Sequence, residues 1–143
     1  MNGKQLRHYW CYKYESAFNS PYTSSKFPLE IRLLSRLLQR YNEYVVLEAI
    51  DEFLLEKNKK ISSISFFGTS RIFDSKFEHI IYLTPIMKYK RLLLSFPQQI
   101  RPSIKALIDE YTDYIGASML SDSEKLRKIK IIDELNELEK SSL

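Results

Sequence analysis

The sequence predicts an all-α protein: a compact bundle of about six or seven helices built on an antiparallel helical hairpin. Apolar residues recur at helical spacing through most of the chain, and two of these stretches are separated only by Asn42 and Glu43. Only three glycines occur, and no segment shows a clear strand pattern, although 61–67 and 79–83 come closest to one. We therefore expect a single helical domain over 1–143.

A first helix is predicted over 4–18. Leu6, Trp10 and Tyr14 lie at i, i+4 and i+8 and would share one side of it. The segment 19–21 ends this helix, because proline disfavours helical geometry in the residue before it.

The next two helices form the predicted hairpin. The second covers about 28–41, after the candidate caps Ser24 and Ser25, and the third covers about 43–57, capped by Asn42. Such a short connection favours antiparallel packing. The residues expected to be buried are Leu29, Leu33, Leu34, Leu37, Leu38 and Tyr41 in the second helix, and Val46, Ala49, Ile50, Phe53 and Leu54 in the third.

Shorter helices are expected in the middle of the chain. Ser62 or Ser63 can cap a fourth helix, which Gly68 weakens, so we expect that helix to be short or bent. Asp74 and Ser75 are expected to start a fifth helix that reaches Leu83, and Pro85, which lies after it, is expected to break or kink the chain there.

Two longer helices are predicted near the C-terminus. Pro102 opens the first of them, and Ser121 with Glu124 forms a capping-box signature for the last. Leu126 and Ile129 lie apart from the main apolar face of the last helix, so we expect it to contact two neighbours, one of them a second copy of the chain. We assign the candidate interface to the main face, which consists of Ile131, Ile132, Leu135 and Leu138.

Composition restricts the class of protein. Apolar residues make up 44% and charged residues 28%, as in ordered globular domains. Cys11 is the only cysteine, so no internal disulfide can form. No apolar run approaches the roughly 20 residues that cross a bilayer, and no signal-peptide pattern is present. We therefore expect a cytoplasmic protein without membrane contact.

Charge alternates in four blocks along the chain. Residues 1–41 carry a net charge of +5, 42–58 of −4, 59–105 of +7 and 106–143 of −4. The two basic blocks could form one positive face, which is typical of a phosphate-backbone binder. They could equally pair with the acidic blocks within the monomer or across a dimer.

Catalytic and metal-binding motifs are lacking. The glycines are too far apart for a P-loop or a dinucleotide fingerprint. His8 and His79 have no partner at metal-ligand spacing, and Cys11 has no neighbouring histidine that would activate it. We therefore predict no enzyme activity, no cofactor and no metal.

Two basic segments are candidates for binding nucleic acid or a protein partner. Arg32, Arg36 and Arg40 recur every four residues and form a ladder along the second helix, which could follow a phosphate backbone or could be a solvated face. The second segment interleaves cations with an aromatic ring, as single-strand binders do, although its basic side chains could instead extend over an apolar helix. It consists of Lys88, Tyr89, Lys90 and Arg91.

Residues 5–73 resemble a helical module of phage and prophage replication-associated proteins. The resemblance rests on Trp10, Tyr14, Pro21-Tyr22, the LLxRLLxRY run, the xVVLEAIDEFL run and the Ser-Ile-Ser-Phe-Phe turn. Modules of this kind are attached to replisome organisers and helicase loaders, which bring a replicative helicase to the origin. Residues 74–143 resemble no known family and are predicted to be a helical extension.

The sequence therefore leaves three functions open, all of them non-catalytic. The first is a phage-type accessory protein of DNA replication that contacts a helicase or another replication factor. The second is a small inhibitor of a host or defence nucleoprotein, similar to an anti-CRISPR protein. The third is direct binding of DNA or RNA.

Overall fold

The computed structural model describes residues 1–143 and contains nine α-helices and no strand, which confirms the all-α class. Of the two segments whose sequence comes closest to a strand pattern, 61–67 contains the helix Ile64–Phe67 and 79–83 overlaps the helix Glu78–Ile81. No helix has the length and the apolar content needed to cross a membrane. The helices are α1 (Gly3–Phe18), α2 (Phe27–Arg40), α3 (Glu43–Leu55), α4 (Ile64–Phe67), α5 (Ser70–Lys76), α6 (Glu78–Ile81), α7 (Thr84–Leu92), α8 (Arg101–Gly116) and α9 (Asp122–Ser142), with a 3-10 turn at Leu93–Ser95 between α7 and α8.

The chain divides into two compact units. Unit 1 covers Met1–Ile81 with α1 to α6, and unit 2 covers Tyr82–Leu143 with α7 to α9. The boundary lies eight residues beyond the end of the module expected at 5–73.

In unit 1, α1 packs on both α2 and α3, and more extensively than these two pack on each other. The predicted hairpin is therefore not confirmed as the basis of the fold. Gly3 allows α1 to approach α2 closely, because a Cβ atom at Gly3 would lie 2.2 Å from Ser35 Oγ and 2.7 Å from the carbonyl oxygen of Ile31.

The core of unit 1 consists mainly of aromatic rings. Phe67 lies at its centre, with its ring centroid 5.2 Å from that of Trp10 and 5.4 Å from those of Phe53 and Phe73. Among the residues expected in the stripe of α2, Leu34 and Leu37 are fully buried, while Leu33, Leu38 and Tyr41 are half-buried and Leu29 is exposed.

Local capping explains several helix boundaries. The Asn42 side chain accepts a hydrogen bond from the Tyr44 amide, and Ser63 caps the single turn of α4, as predicted. The prediction that Ser24 or Ser25 caps α2 is wrong, because Lys26 is the N-cap residue and gives no side-chain cap.

The prediction that a helix starts at Asp74 is also wrong. Asp74 lies inside α5, which begins at Ser70. Its carboxylate accepts hydrogen bonds from the side chains of Arg40 and Tyr41, so it serves tertiary structure rather than capping.

In unit 2, α7, α8 and α9 surround a mostly aliphatic core. Pro85 lies in the first turn of α7, where its missing N–H has no intrahelical partner to lose. Helical structure is interrupted at 82–83, between α6 and α7, so the break predicted at Pro85 is confirmed, with this proline opening the helix that follows the break. The buried residues of this core are Ile86, Tyr89, Phe96, Ile104, Ile108, Tyr111, Ile131 and Leu135.

The structure also corrects the interface assigned to α9. Ile131 and Leu135 are fully buried in the core of unit 2, and Ile132 and Leu138 pack against that core. These four residues hold α9 in its own unit. The exposed apolar side chains of α9 are Leu126 and Ile129, each 61% exposed.

Candidate functional site

The outer face of α2 carries most of the predicted arginine ladder. Arg32 and Arg36 are exposed, and neither makes a hydrogen bond or an ion pair within the chain. Leu29 lies on the same side of the helix, at i−3 from Arg32 and i−7 from Arg36, and is 40% exposed. We call Leu29, Arg32 and Arg36 the α2 outer face.

Arg40, the third member of the ladder, differs from the other two. Its Nη2 atom donates to Asp74 Oδ2 over 2.7 Å, and its guanidinium lies 5.5 Å from the centre of the Tyr41 ring. Its charge is therefore compensated within unit 1. The ladder presents two free cations rather than three.

The second basic segment lies on α7 and is not open as a stacking site. Lys88 Nζ forms an ion pair with Glu139 on α9 at 2.8 Å. Tyr89 is only 2% exposed and donates to the Asn136 side chain, so its ring is not available to a base. Burial raises the pKa of the Tyr89 hydroxyl. Lys90 is exposed, and Arg91 is half-buried.

Unit 1 also contains a buried charged cluster that was not predicted. Glu30 is only 1% exposed although it is ionisable. Its Oε1 atom accepts a hydrogen bond from Arg7 Nε at 3.1 Å, and its Oε2 atom accepts one from the Tyr22 hydroxyl at 2.5 Å. The Tyr22 oxygen in turn accepts from the Ile64 amide at 3.1 Å. We call Arg7, Tyr22 and Glu30 the buried cluster.

The buried cluster connects three parts of unit 1. Arg7 belongs to α1, Glu30 to α2, and Tyr22 to the loop that joins them, while Ile64 begins α4. Burial and the hydrogen bond to Glu30 raise the pKa of Tyr22, so its hydroxyl keeps its proton. The arrangement satisfies a buried carboxylate with two donors, which is the condition for burying such a charge at low cost.

The sequence contains a signal for this cluster. Glu30 precedes Leu34 by four residues and Leu37 by seven, so it falls within the buried stripe of α2. A charged residue at such a position requires partners, because an unpaired buried charge is strongly unfavourable.

The remaining ionisable side chains provide no group that could hold a metal ion. No set of three or more His, Cys, Asp or Glu residues is placed to hold a metal ion. His79 Nε2 lies 2.8 Å from Glu52 Oε2 on the surface. Burial raises the pKa of the Cys11 thiol, although Arg7 acts in the opposite direction, so this thiol is less acidic than a free one.

Comparisons with protein-family models, with curated proteins and with solved structures found no match to this chain. We therefore draw the function from the chain's own residues.

Proposed function

We propose that this protein is a non-catalytic binding protein that acts as an accessory factor of DNA replication, docking on a helicase or another replication factor through the α2 outer face. The observation that carries the proposal is the pair of exposed arginines, Arg32 and Arg36, without partners in the chain and beside the exposed side chain of Leu29. The replication assignment rests on the resemblance of residues 5–73 to the helical modules of replisome organisers and helicase loaders.

The chemistry of this face suits a protein partner. Arginine combines a charge that persists at all physiological pH values with a planar group that packs on apolar and aromatic surfaces. Arginine is enriched among the residues that dominate binding energy, and Leu29 adds apolar area next to the two guanidinium groups. A partner with carboxylates around a shallow apolar site would be complementary.

The helix that presents this face is fixed in place. Leu34 and Leu37 on its opposite side are fully buried, and Glu30 is anchored by Arg7 and Tyr22. Binding through α2 would therefore require ordering of the arginine side chains but not of the backbone, which lowers the entropic cost of association.

The test measures binding of the purified protein to the replicative helicase and helicase loader encoded in the same genome. We expect the double variant Arg32→Ala/Arg36→Ala to weaken binding by about tenfold or more, because two charge-assisted contacts are lost. The matched control is Lys60→Ala/Arg71→Ala, which removes two exposed cations elsewhere in unit 1. Equal weakening by both double variants, or no binding by the wild type, would contradict the proposal.

Direct nucleic-acid binding is the second candidate, and the same two free cations favour it. Its test is fluorescence anisotropy with single- and double-stranded oligonucleotides over a salt series. A plot of log affinity against log salt has a slope that counts the phosphates neutralised, so loss of Arg32 and Arg36 should reduce that slope. An unchanged slope would assign the two arginines to a protein partner. The inhibitor alternative would be distinguished by binding to a defence nucleoprotein in place of the helicase.

A further inference from the structure

A polar cavity of about 460 Å³ lies in unit 1, and two members of the buried cluster, Tyr22 and Glu30, form part of its wall. The rest of the wall consists mainly of serine, threonine and lysine side chains from the loop before α2 and from the region around α4. This volume lies within the range of about 300–1,000 Å³ that is typical of small-molecule sites. The arginines of the α2 outer face do not line it.

The only acidic residue in the wall is already compensated. Both carboxylate oxygens of Glu30 accept hydrogen bonds, one from Arg7 and one from Tyr22. The two lysines of the wall, Lys26 and Lys59, therefore leave the cavity with a net positive charge. An anionic ligand would be attracted and a cationic one repelled.

Hydrogen-bond donors without partners are in excess around the cavity. The hydroxyls of Thr23, Ser25 and Ser65 and the ammonium group of Lys26 make no hydrogen bond within the chain. The Lys59 ammonium lies over the ring of Phe18, at 5.8 Å from its centre, and has no ion pair. Such a wall suits a ligand that only accepts hydrogen bonds.

The other hydroxyls of the wall fix the cavity's shape instead. Ser63 accepts from the Phe66 amide, Ser62 donates to the Asn58 carbonyl oxygen, and Ser24 accepts from the Lys26 amide. These three bonds hold the local backbone, so the free donors are presented by a largely ordered frame.

We propose that this cavity binds the phosphate group of a small phosphate monoester, such as a sugar phosphate or a nucleotide. A phosphate offers only acceptor oxygens and carries a negative charge, which matches the surplus of donors and the two lysines. The cavity is larger than a phosphate alone requires, and the half-buried ring of Tyr14 in its wall gives the organic part of the ligand an apolar surface. This site is separate from the α2 outer face, so the protein would bind a small-molecule ligand in addition to a protein partner.

The test titrates isotopically labelled full-length protein with inorganic phosphate, a sugar phosphate and adenosine monophosphate, and follows the backbone amides by two-dimensional NMR. We expect saturable shifts at residues 22–26 and 58–65 for at least one of the two esters. Lys26→Ala/Lys59→Ala should weaken that binding by about tenfold or more. Lys60→Ala, an exposed lysine beside Lys59 but outside the wall, should leave it unchanged.

The three ligands separate the sources of the phosphate. Tighter binding of adenosine monophosphate than of the sugar phosphate would identify a nucleotide site, and equal binding of the two esters would identify the phosphate as the recognised group. Shifts that do not saturate in the millimolar range, or equal loss of affinity in the Lys60→Ala control, would overturn the proposal. Arg32→Ala/Arg36→Ala should not affect these titrations, so failure of the docking proposal and failure of this one are distinguishable.

Discussion

Unit 1 has a core of aromatic rings beside a buried carboxylate, whereas unit 2 has a mostly aliphatic core and carries the ion pairs of α9 at its surface. In unit 1, Phe67 contacts several other rings. The carboxylate of Glu30 is buried and forms an ion pair with Arg7. In unit 2, Ile131 and Leu135 are fully buried in the core. In the ion pairs that α9 forms with α7 and α8, at least one of the two side chains is more than one-third exposed. Substitutions that remove similar chemical groups should therefore differ in effect between the two units.

The largest effect is expected for Phe67→Ala in the aromatic core. This side chain is fully buried, and its loss leaves a cavity that the rigid neighbouring rings cannot fill, so we expect the free energy of unfolding to fall by about 3–5 kcal/mol. Urea unfolding followed by the fluorescence of Trp10, the only tryptophan, reports on unit 1 directly. Phe66→Ala is the matched control, because Phe66 is half-buried. Phe66 also contacts the ring cluster, because its ring stacks on that of Phe53 at 6.1 Å. A similar loss in both variants would therefore show that the central position of Phe67 contributes no extra stability.

The next largest effect is expected for Glu30→Gln. The substitution preserves the shape of the side chain but removes its charge, so Arg7 loses its buried counter-charge. We expect the free energy of unfolding to fall by about 1–3 kcal/mol. Glu15→Gln removes an exposed charge from the same unit and should change it by less than about 0.5 kcal/mol. Comparable values for the two variants would mean that the buried cluster contributes little to the stability of unit 1.

Local features of the fold could be predicted from the sequence, and long-range partners could not. The caps at Asn42 and Ser121 were predicted correctly because each acts within three residues of itself. Arg40 has the same spacing as Arg32 and Arg36, yet it is the one paired with Asp74, which lies 34 residues away in the sequence. No periodicity within α2 distinguishes it from the other two.

The buried cluster shows the same limit at the candidate site. The position of Glu30 in the apolar stripe of α2 could have indicated burial. Its partners Arg7 and Tyr22 come from α1 and from a loop, and only the packing of α1 on α2 brings them within hydrogen-bonding distance. The cavity beside the cluster has the same origin, because its two lysines are 33 positions apart.

A smaller effect is expected from the surface charges of unit 2 at acid pH. Arg127 on α9 donates two hydrogen bonds to the Glu110 carboxylate on α8, at 2.6 and 3.1 Å, and these bonds lower the pKa of Glu110 from its usual value of 4.5. The unfolded chain therefore takes up this proton first, and the pair's contribution to stability is present above pH 4.5 and is lost as the pH falls through the folded-state pKa.

Thermal unfolding followed by far-ultraviolet circular dichroism between pH 7 and pH 3 should show this loss. We expect Glu110→Gln to have a flatter dependence of the melting temperature on pH than the wild type, by a small amount because solvent screens the exposed pair. Asp109→Asn, at the exposed neighbouring position on α8, is the control. A steeper dependence in Glu110→Gln would show that the pair does not stabilise the folded state.

The smallest effect on stability is expected at the exposed apolar pair of α9. Leu126 and Ile129 are each 61% exposed, so Leu126→Ser/Ile129→Ser should change the free energy of unfolding by less than about 0.5 kcal/mol per site. The same variant should have a larger effect on self-association. Ile131 and Leu135 are buried within unit 2 and cannot contact a second copy of the chain. Leu126 and Ile129 therefore form the apolar face of α9 through which the expected dimer would associate. Sedimentation equilibrium at rising concentration measures this directly: we expect the wild type to gain mass and the double variant to remain a monomer. A wild type that stays monomeric throughout would remove the dimer, and the outer surface of α9 would then be an ordinary solvated face like that of most surface helices.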